Sequence, residues 1–205
     1  MTLAAALDGL DVSRETEQRL GALADLVQKW SPRINLVARS TLGQLESRHI
    51  ADSAQLFKIA PVSKKWLDLG SGGGFPGLVI AILAADLRPE MSVVMVESDT
   101  RKCVFLRTAL RELGVQGEVV QSRIEALTPA DADLVSARAL APLPKLLGYA
   151  ERHMAIGATA LFPKGSNWQS ELSEARESWH FDLETHTSVV DPSSVILEVR
   201  ELSNA

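Results

Sequence analysis

The 205-residue chain has one cysteine, one tyrosine and only 5% aromatic residues. A lone Cys103 excludes an internal disulfide and a multi-cysteine metal site. So few aromatics leave no evident stacking platform for single-stranded nucleic acid. Long apolar runs are also missing: the longest, Leu78 to Ala85, has eight residues, whereas a membrane-spanning helix needs about 20. The N-terminus carries Asp8 and Asp11 and no basic residue before Arg14, unlike a secretory signal. No repeat or low-complexity tract occurs. With 46% hydrophobic and 23% charged residues, the chain can bury a core. A cytoplasmic domain with an appendage is expected.

The net charge of −5 is unevenly placed. Residues 31–60 are basic (Arg33, Arg39, Arg48 and Lys58 against Glu46 and Asp52), and the C-terminal quarter is acidic. A polyanionic partner is compatible with this distribution, but composition alone does not suggest one.

Leu20, Leu23, Val27 and Trp30 form one apolar stripe, which predicts a helix over 13–30. Ser13 caps its start and Pro32 ends it. A second helix is predicted over 41–58, opened by a capping box at Thr41-Leu42-Gly43-Gln44. From residue 65, short apolar strands alternate with helices. The strands are expected at 65–69, 92–97, 118–121, 132–136, 156–162, 181–190 and 194–200. The helices are expected at 76–86, 99–112, 143–153 and 166–178. This alternation predicts an α/β fold, a doubly wound, mainly parallel sheet. Asp191-Pro192 turns the last two strands into an antiparallel hairpin at one edge. The division is a helical extension over 1–62 and a sheet domain over 63–205.

Five of the 13 glycines (Gly70, Gly72, Gly73, Gly74 and Gly77) follow the strand 65–69 and open the next helix. Such a turn exposes backbone N–H groups to a ligand, and the helix dipole favours an acceptor there. Pro76 suits the first helical turn. Gly72-x-Gly74-x-x-Gly77 formally matches a dinucleotide fingerprint, but no Gly-Lys-Ser/Thr follows, so a Walker loop is excluded. The frame Asp68-Leu69-Gly70-Ser71-Gly72 fits better. It puts an acid at the strand tip, suited to the ammonium end of a zwitterionic ligand and repelling a pyrophosphate. Glu97, at the next strand's tip, is placed to accept both hydroxyls of a ribose, each bond contributing roughly 1.5–3 kcal/mol. The turn Ser122-Arg123-Ile124-Glu125 after the third strand can hold an adenine ring. Together these describe S-adenosylmethionine.

At these residues the chain resembles the RsmG (GidB) family of bacterial 16S ribosomal RNA methyltransferases. The likeness runs through Trp30-Ser31-Pro32-Arg33-Ile34-Asn35-Leu36, Arg48-His49-Ile50-Ala51-Asp52-Ser53 and Asp68 to Leu78. It continues in Gln121 to Glu125, Ser136-Ala137-Arg138-Ala139 and Pro163-Lys164-Gly165. Ser31-Pro32-Arg33 stands where a more lysine-rich run is expected. The resemblance implies a Rossmann-like class I methyltransferase fold and methylation at N7 of one guanine in small-subunit rRNA. It also implies that Gly70, Phe75, Ile124, Glu125 and Arg138 line the cofactor site. With the residues read above, the expected cofactor set is Asp68, Gly70, Gly72, Gly74, Phe75, Glu97, Ser122, Ile124, Glu125 and Arg138.

The bare chemistry is compatible with that reading. The fourth strand's tip reads Ser136-Ala137-Arg138-Ala139-Leu140, not the Asn/Asp-Pro-Pro-aromatic of many amine methyltransferases. Cys103 lies away from the tips, as a small buried hydrophobe rather than a nucleophile. Guanine N7 has an exposed lone pair and no proton to lose, so no catalytic acid or base is assigned and positioning carries the reaction. Arg138 either holds the cofactor carboxylate or guanine O6, or pairs with an acid such as Glu125. His49, Asp52 and Ser53 contact RNA, cover the cofactor or pack the lead-in against the core. Expected RNA contacts are Asn35, Arg33, His49, Arg123 and Lys164. Arg33, Arg39, Arg48, Arg123 and Lys164 are phosphate-contact candidates or plain solvated charges. His153, His180 and His186 lack ligand spacing, so no metal is expected. The protein is expected to act as a cytoplasmic monomer on 16S rRNA or the small ribosomal subunit. The competing readings are a nicotinamide-dependent oxidoreductase and a non-catalytic RNA-binding module that retains a cofactor pocket.

Overall fold

The computed structural model describes residues 7–205. Helix α1 (Arg14–Ile34) starts as expected: the Ser13 hydroxyl accepts from the Thr16 N–H. It runs past Pro32, which sits in the last turn, and ends at Asn35 in the left-handed region, φ 53°. A proline there removes one hydrogen bond without interrupting a helix that is about to end.

The expected helix over 41–58 is three pieces. A 3₁₀ turn covers Arg39–Gln44, a π turn Leu45–Ile50, and α2 only Ala51–Ile59. The capping box does not form. The Thr41 hydroxyl donates to the Ala38 carbonyl at 2.9 Å and meets the His49 ring at 2.9 Å. Its oxygen is engaged by that side chain, and the widened π turn brings His49 to it.

The rest is β1 (Lys65–Leu69), α3 (Gly77–Leu87), β2 (Ser92–Glu97), α4 (Thr100–Leu113), β3 (Glu118–Gln121), β4 (Ala132–Ser136), α5 (Leu143–His153), β5 (Met154–Lys164), α6 (Trp168–Ala175), β6 (Trp179–Thr187) and β7 (Val195–Asn204). One seven-stranded sheet runs in the order β3-β2-β1-β4-β5-β7-β6. Strand β7 is antiparallel to both its neighbours, β5 and β6. It inserts between them, so the hairpin closes one edge as expected, with a connection of residues 188–194.

Two cores flank the sheet. Trp66, Leu134 and Leu161 face one that holds α1 to α4. Leu67, Leu69 and Phe162 face the other, with Leu146, Leu147 and Ala175 from α5 and α6. Helix α3 is apolar all round because it lies between the sheet and the lead-in; every residue from Gly77 to Ala84 is buried. The lead-in is therefore a third layer on one face. Asp86 of α3 joins it, accepting from the Ser13 N–H at 2.7 Å and the Thr16 hydroxyl at 2.8 Å. No helix among the described residues is long and apolar enough to cross a membrane.

Candidate active site

The carboxyl ends of the parallel strands open into a cleft of about 1240 Å³. In a sheet of this winding, that is where ligands bind. Its floor is the loop from β1 to α3. Gly70, Gly72 and Gly74 all have positive φ, at 67°, 53° and 86°, a region in which glycine alone is unstrained. The Gly70 and Ser71 N–H groups both donate to the Val96 carbonyl, at 2.8 and 3.1 Å, binding the loop to the tip of β2.

Glu97 completes that tip. Its carboxylate accepts from the Gly72 N–H at 2.9 Å, the Ser98 N–H at 2.7 Å and the Asp99 N–H at 2.8 Å. Three backbone donors fix a carboxylate at the wall and leave Oε2 one lone pair for a further donor. The β3 turn is tied to the same tip by the Ser122 N–H, which donates to the Glu97 carbonyl at 3.0 Å. From behind, the buried His153 Nε2 donates to the Ile124 carbonyl at 3.1 Å. Burial of that ring pushes its pKa down.

The opposite wall comes from the lead-in. Leu36, Val37 and Ala38 border the cleft. A Cβ on Gly73 would stand 2.7 Å from the Leu36 carbonyl oxygen, so the chain packs directly on the loop there. The His49 ring lies against Phe75, centroids 5.2 Å apart, and the Arg138 guanidinium is 5.4 Å from that same ring. Arg138 pairs with Asp52 at 3.5 Å, not with Glu125, which takes the Tyr149 hydroxyl. The Thr41 hydroxyl donates its one hydrogen to Ala38, so His49 Nε2 must be the donor to Thr41. His49 Nδ1 is then a buried acceptor with no partner. Burial, reinforced by the charges of Arg138 and Arg48, lowers the His49 pKa to about 4.

A family model described as rRNA small subunit methyltransferase G (GidB) matches residues 16–198. The chain belongs to that family. It is 55% identical over 190 residues to the ribosomal RNA small subunit methyltransferase G of Ruegeria pomeroyi, covering 93% of each chain. It is 53% identical over 198 residues to that of Paracoccus denitrificans, covering 96% of this chain and 100% of the relative. A SAM-dependent methyltransferase from Aquifex aeolicus shares the fold, with a TM-score of 0.58 and 14% identity over 86% of this chain and 97% of that one.

The cleft of this GidB family member suits S-adenosylmethionine. A Cβ on Gly72 would have only the Gly70 carbonyl oxygen nearby, at 3.7 Å, so the loop presents open backbone beside Glu97. Of the residues expected from sequence, Gly70, Gly72, Phe75, Glu97, Ser122, Ile124, Glu125 and Arg138 line the cleft, with His49, Arg123 and Lys164. Asp68 does not reach it. Wholly buried, its carboxylate accepts from the Ser136 hydroxyl at 2.8 Å and the Gly77 N–H at 3.1 Å. It braces the loop from behind, and burial raises its pKa to about 6 despite those bonds. Gly74 turns inward as well: a Cβ there would strike the Leu78 side chain. Neither Arg33 nor Asn35 lines the cleft; Asn35 is the left-handed cap of α1, its N–H donating to the Ser31 carbonyl at 2.9 Å. Lys164 borders the cleft with its ammonium held by Glu171 and by the Ala141 carbonyl.

Sequence reasoning missed the wall formed by Ser188, Val190, Asp191 and Ser194. Its signal was the Asp-Pro-Ser-Ser turn, read only as a strand connection. Chain spacing also missed a cross-strand cluster of Glu184, His186 and Glu198. Arg200 already lies there, 3.3 Å from Glu184 and 3.6 Å from Glu198.

Proposed function

We propose that this chain transfers the methyl group of S-adenosylmethionine to N7 of one guanine in small-subunit ribosomal RNA, without a general base. The observation that supports base-free transfer is His49. The imidazole borders the cleft, but its Nε2 donates to Thr41 and its Nδ1 is buried, so neither nitrogen is free to take a proton from a bound base, and burial lowers its pKa to about 4. Guanine N7 needs no proton acceptor, because its lone pair lies open in the ring plane.

Bound in the cleft, the cofactor supplies an electrophilic methyl on a sulfonium. Gly72 and Glu97 would hold its ribose, and the turn Ser122–Glu125 its adenine. Arg138 retains donors beyond its contact with Asp52 and would take the cofactor's carboxylate. The Asp52–Arg138 pair also answers an electrostatic problem. Methylated guanine is a cation, and a bare guanidinium nearby would oppose it. Paired with a carboxylate, Arg138 presents little net charge. What remains for the protein is alignment and the exclusion of water.

On this reading the chain works as a metal-free cytoplasmic monomer on 16S rRNA or the small subunit. Residues 1–62, of which 1–6 lie outside the described residues, would be the helical extension, with Leu36 to Asp52 bordering the cleft, and 63–205 the methyltransferase domain. Arg123 and Arg48 at the cleft, and Arg33, Asn35 and Arg39 on the lead-in, face the RNA. Incubation with labelled cofactor and small subunits from a strain lacking the enzyme tests the proposal. Label should appear on one guanine as N7-methyl. No incorporation into any rRNA would overturn it in favour of a non-catalytic RNA-binding module.

A further inference from the structure

Beyond Arg138 the cleft continues between the lead-in and the connection 188–194. The cofactor portion is bounded by the tips of β1, β2 and β3, so the methyl acceptor enters on this other side. The loop there is built to an unusual specification. Each of its backbone N–H groups has a partner within the protein. Ser188 N–H donates to the Ser194 carbonyl at 3.0 Å, and Ser194 N–H to the Asp191 carbonyl at 2.9 Å. Val189 N–H donates to Gln55 Oε1 at 3.0 Å. Val190 and Asp191 N–H both donate to the Ser188 hydroxyl oxygen, at 3.1 and 3.4 Å. Ser193 N–H donates to Asp191 Oδ1 at 3.0 Å. The Ser193 and Ser194 hydroxyls donate to the Asp191 carboxylate too, at 2.7 and 3.2 Å. The loop backbone thus has acceptors, not donors, left for a ligand, and at the cleft its charged acceptor is Asp191.

A buried glutamine sets the loop's position. Gln55 is 5% exposed. Its Nε2 donates to Asp52 Oδ1 at 2.8 Å and to the Ser188 hydroxyl at 3.3 Å. One polar chain therefore runs from Arg138 at the end of β4 through Asp52 and Gln55 to the loop.

We infer that Asp191 reads the target guanine through the one lone pair left on Oδ2, which accepts from the exocyclic amine, and that Gln55 is the positioning residue holding the Asp191 loop in register with Arg138. The inference rests on the guanine-N7 reading above and assigns the acceptor side of that same site. A purine with N7 toward the methyl donor turns its opposite edge to the far wall. In guanine that edge carries two donors. In adenine it carries the N1 acceptor, which a carboxylate rejects. The contact also favours the reaction: as N7 gains the methyl the ring becomes cationic, the exocyclic amine becomes a stronger donor, and its bond to a carboxylate tightens. The Ser193 hydroxyl and N–H hold the Asp191 carboxyl below the usual carboxylate range, with a smaller push from Arg48.

The test uses the full-length enzyme and rRNA carrying guanine or inosine at the methylated nucleotide, since inosine keeps N7 and N1–H but lacks the amine. The wild type should lose at least tenfold in kcat/KM on inosine. Asp191→Asn, whose Oδ1 can still accept from Ser193, should lose at least tenfold on guanine and show little further loss on inosine. Gln55→Leu should raise KM for RNA at least fivefold while its calorimetric affinity for S-adenosylmethionine stays at the wild-type value. Wild-type label on any atom other than guanine N7 overturns the functional reading and this one together. Label on N7 with an inosine penalty unchanged in Asp191→Asn, or absent from the wild type, overturns this inference alone.

Discussion

The Asp52 carboxylate stands 3.5 Å from the Arg138 guanidinium and so joins the first turn of α2 to the residues that follow β4. The two side chains are only 19% and 17% exposed, so removing one leaves the other largely desolvated. We expect Asp52→Ala to destabilise the protein by about 2 kcal/mol, less than the ~3–5 kcal/mol of a fully buried pair because some exposure remains. Methyl transfer should fall at least tenfold, since Arg138 would then face the developing cation unpaired. The double variant Asp52→Ala/Arg138→Met should recover most of the stability and none of the activity. Urea denaturation and initial rates measure the two effects. A single variant as stable and active as the wild type would sink the idea.

Glu97 carries a different prediction. Its two oxygens organise Gly72, Ser98 and Asp99 before any ligand arrives, so the residue shapes the pocket as well as offering a contact. Glu97→Ala should weaken S-adenosylmethionine binding by at least tenfold, or about 1.4 kcal/mol. Glu97→Gln keeps acceptor capacity on one oxygen and should fall between the two. Calorimetry with the cofactor alone reads this without RNA. Equal affinities for all three proteins would remove Glu97 from the site.

Strands β1, β2 and β4 were legible because each is a short apolar run bounded by turn residues, buried on both faces. Asp68 shows where that legibility stops. A polar residue at a strand tip looks like a ligand contact in a one-dimensional reading. Only the fold reveals that its carboxylate is taken by Ser136 and Gly77. The lead-in fared worst. Residues 41–58 have helical composition, but the segment divides into a 3₁₀ turn, a π turn and a short helix, with the Thr41 hydroxyl bonded to Ala38 and the His49 ring, local side-chain contacts that periodicity does not encode. Gly73 is a similar case: the constraint on it is the Leu36 carbonyl, 2.7 Å from where a Cβ would stand. The hairpin loop escaped notice because its partner, Gln55, is more than half the chain away.

His49 and Asp68 pull stability in opposite directions with pH. In the fold His49 has a pKa of about 4 against an ordinary 6.5. Between those values the unfolded chain binds the proton and the folded one does not, so this residue's contribution is complete above about 6.5 and is lost as pH falls toward 4. Asp68, raised to about 6 from 3.8, does the reverse: the folded state holds its proton longer, and stability is lost as pH rises through 6. Because the two windows overlap, the wild type should show a shallow dependence between pH 4 and 6. His49→Gln removes one side of the balance and keeps a polar group for Thr41. Relative to the wild type, the variant should gain stability steadily as pH is lowered from 6.5 toward 4. Asp68→Asn should show the complementary trend, gaining on the wild type as pH rises from 4 to 6. Urea denaturation at half-unit steps measures both. Parallel curves for His49→Gln and the wild type would mean that His49 is free to protonate in the fold, and the neutral, Thr41-bound imidazole bordering the cleft would have to be abandoned.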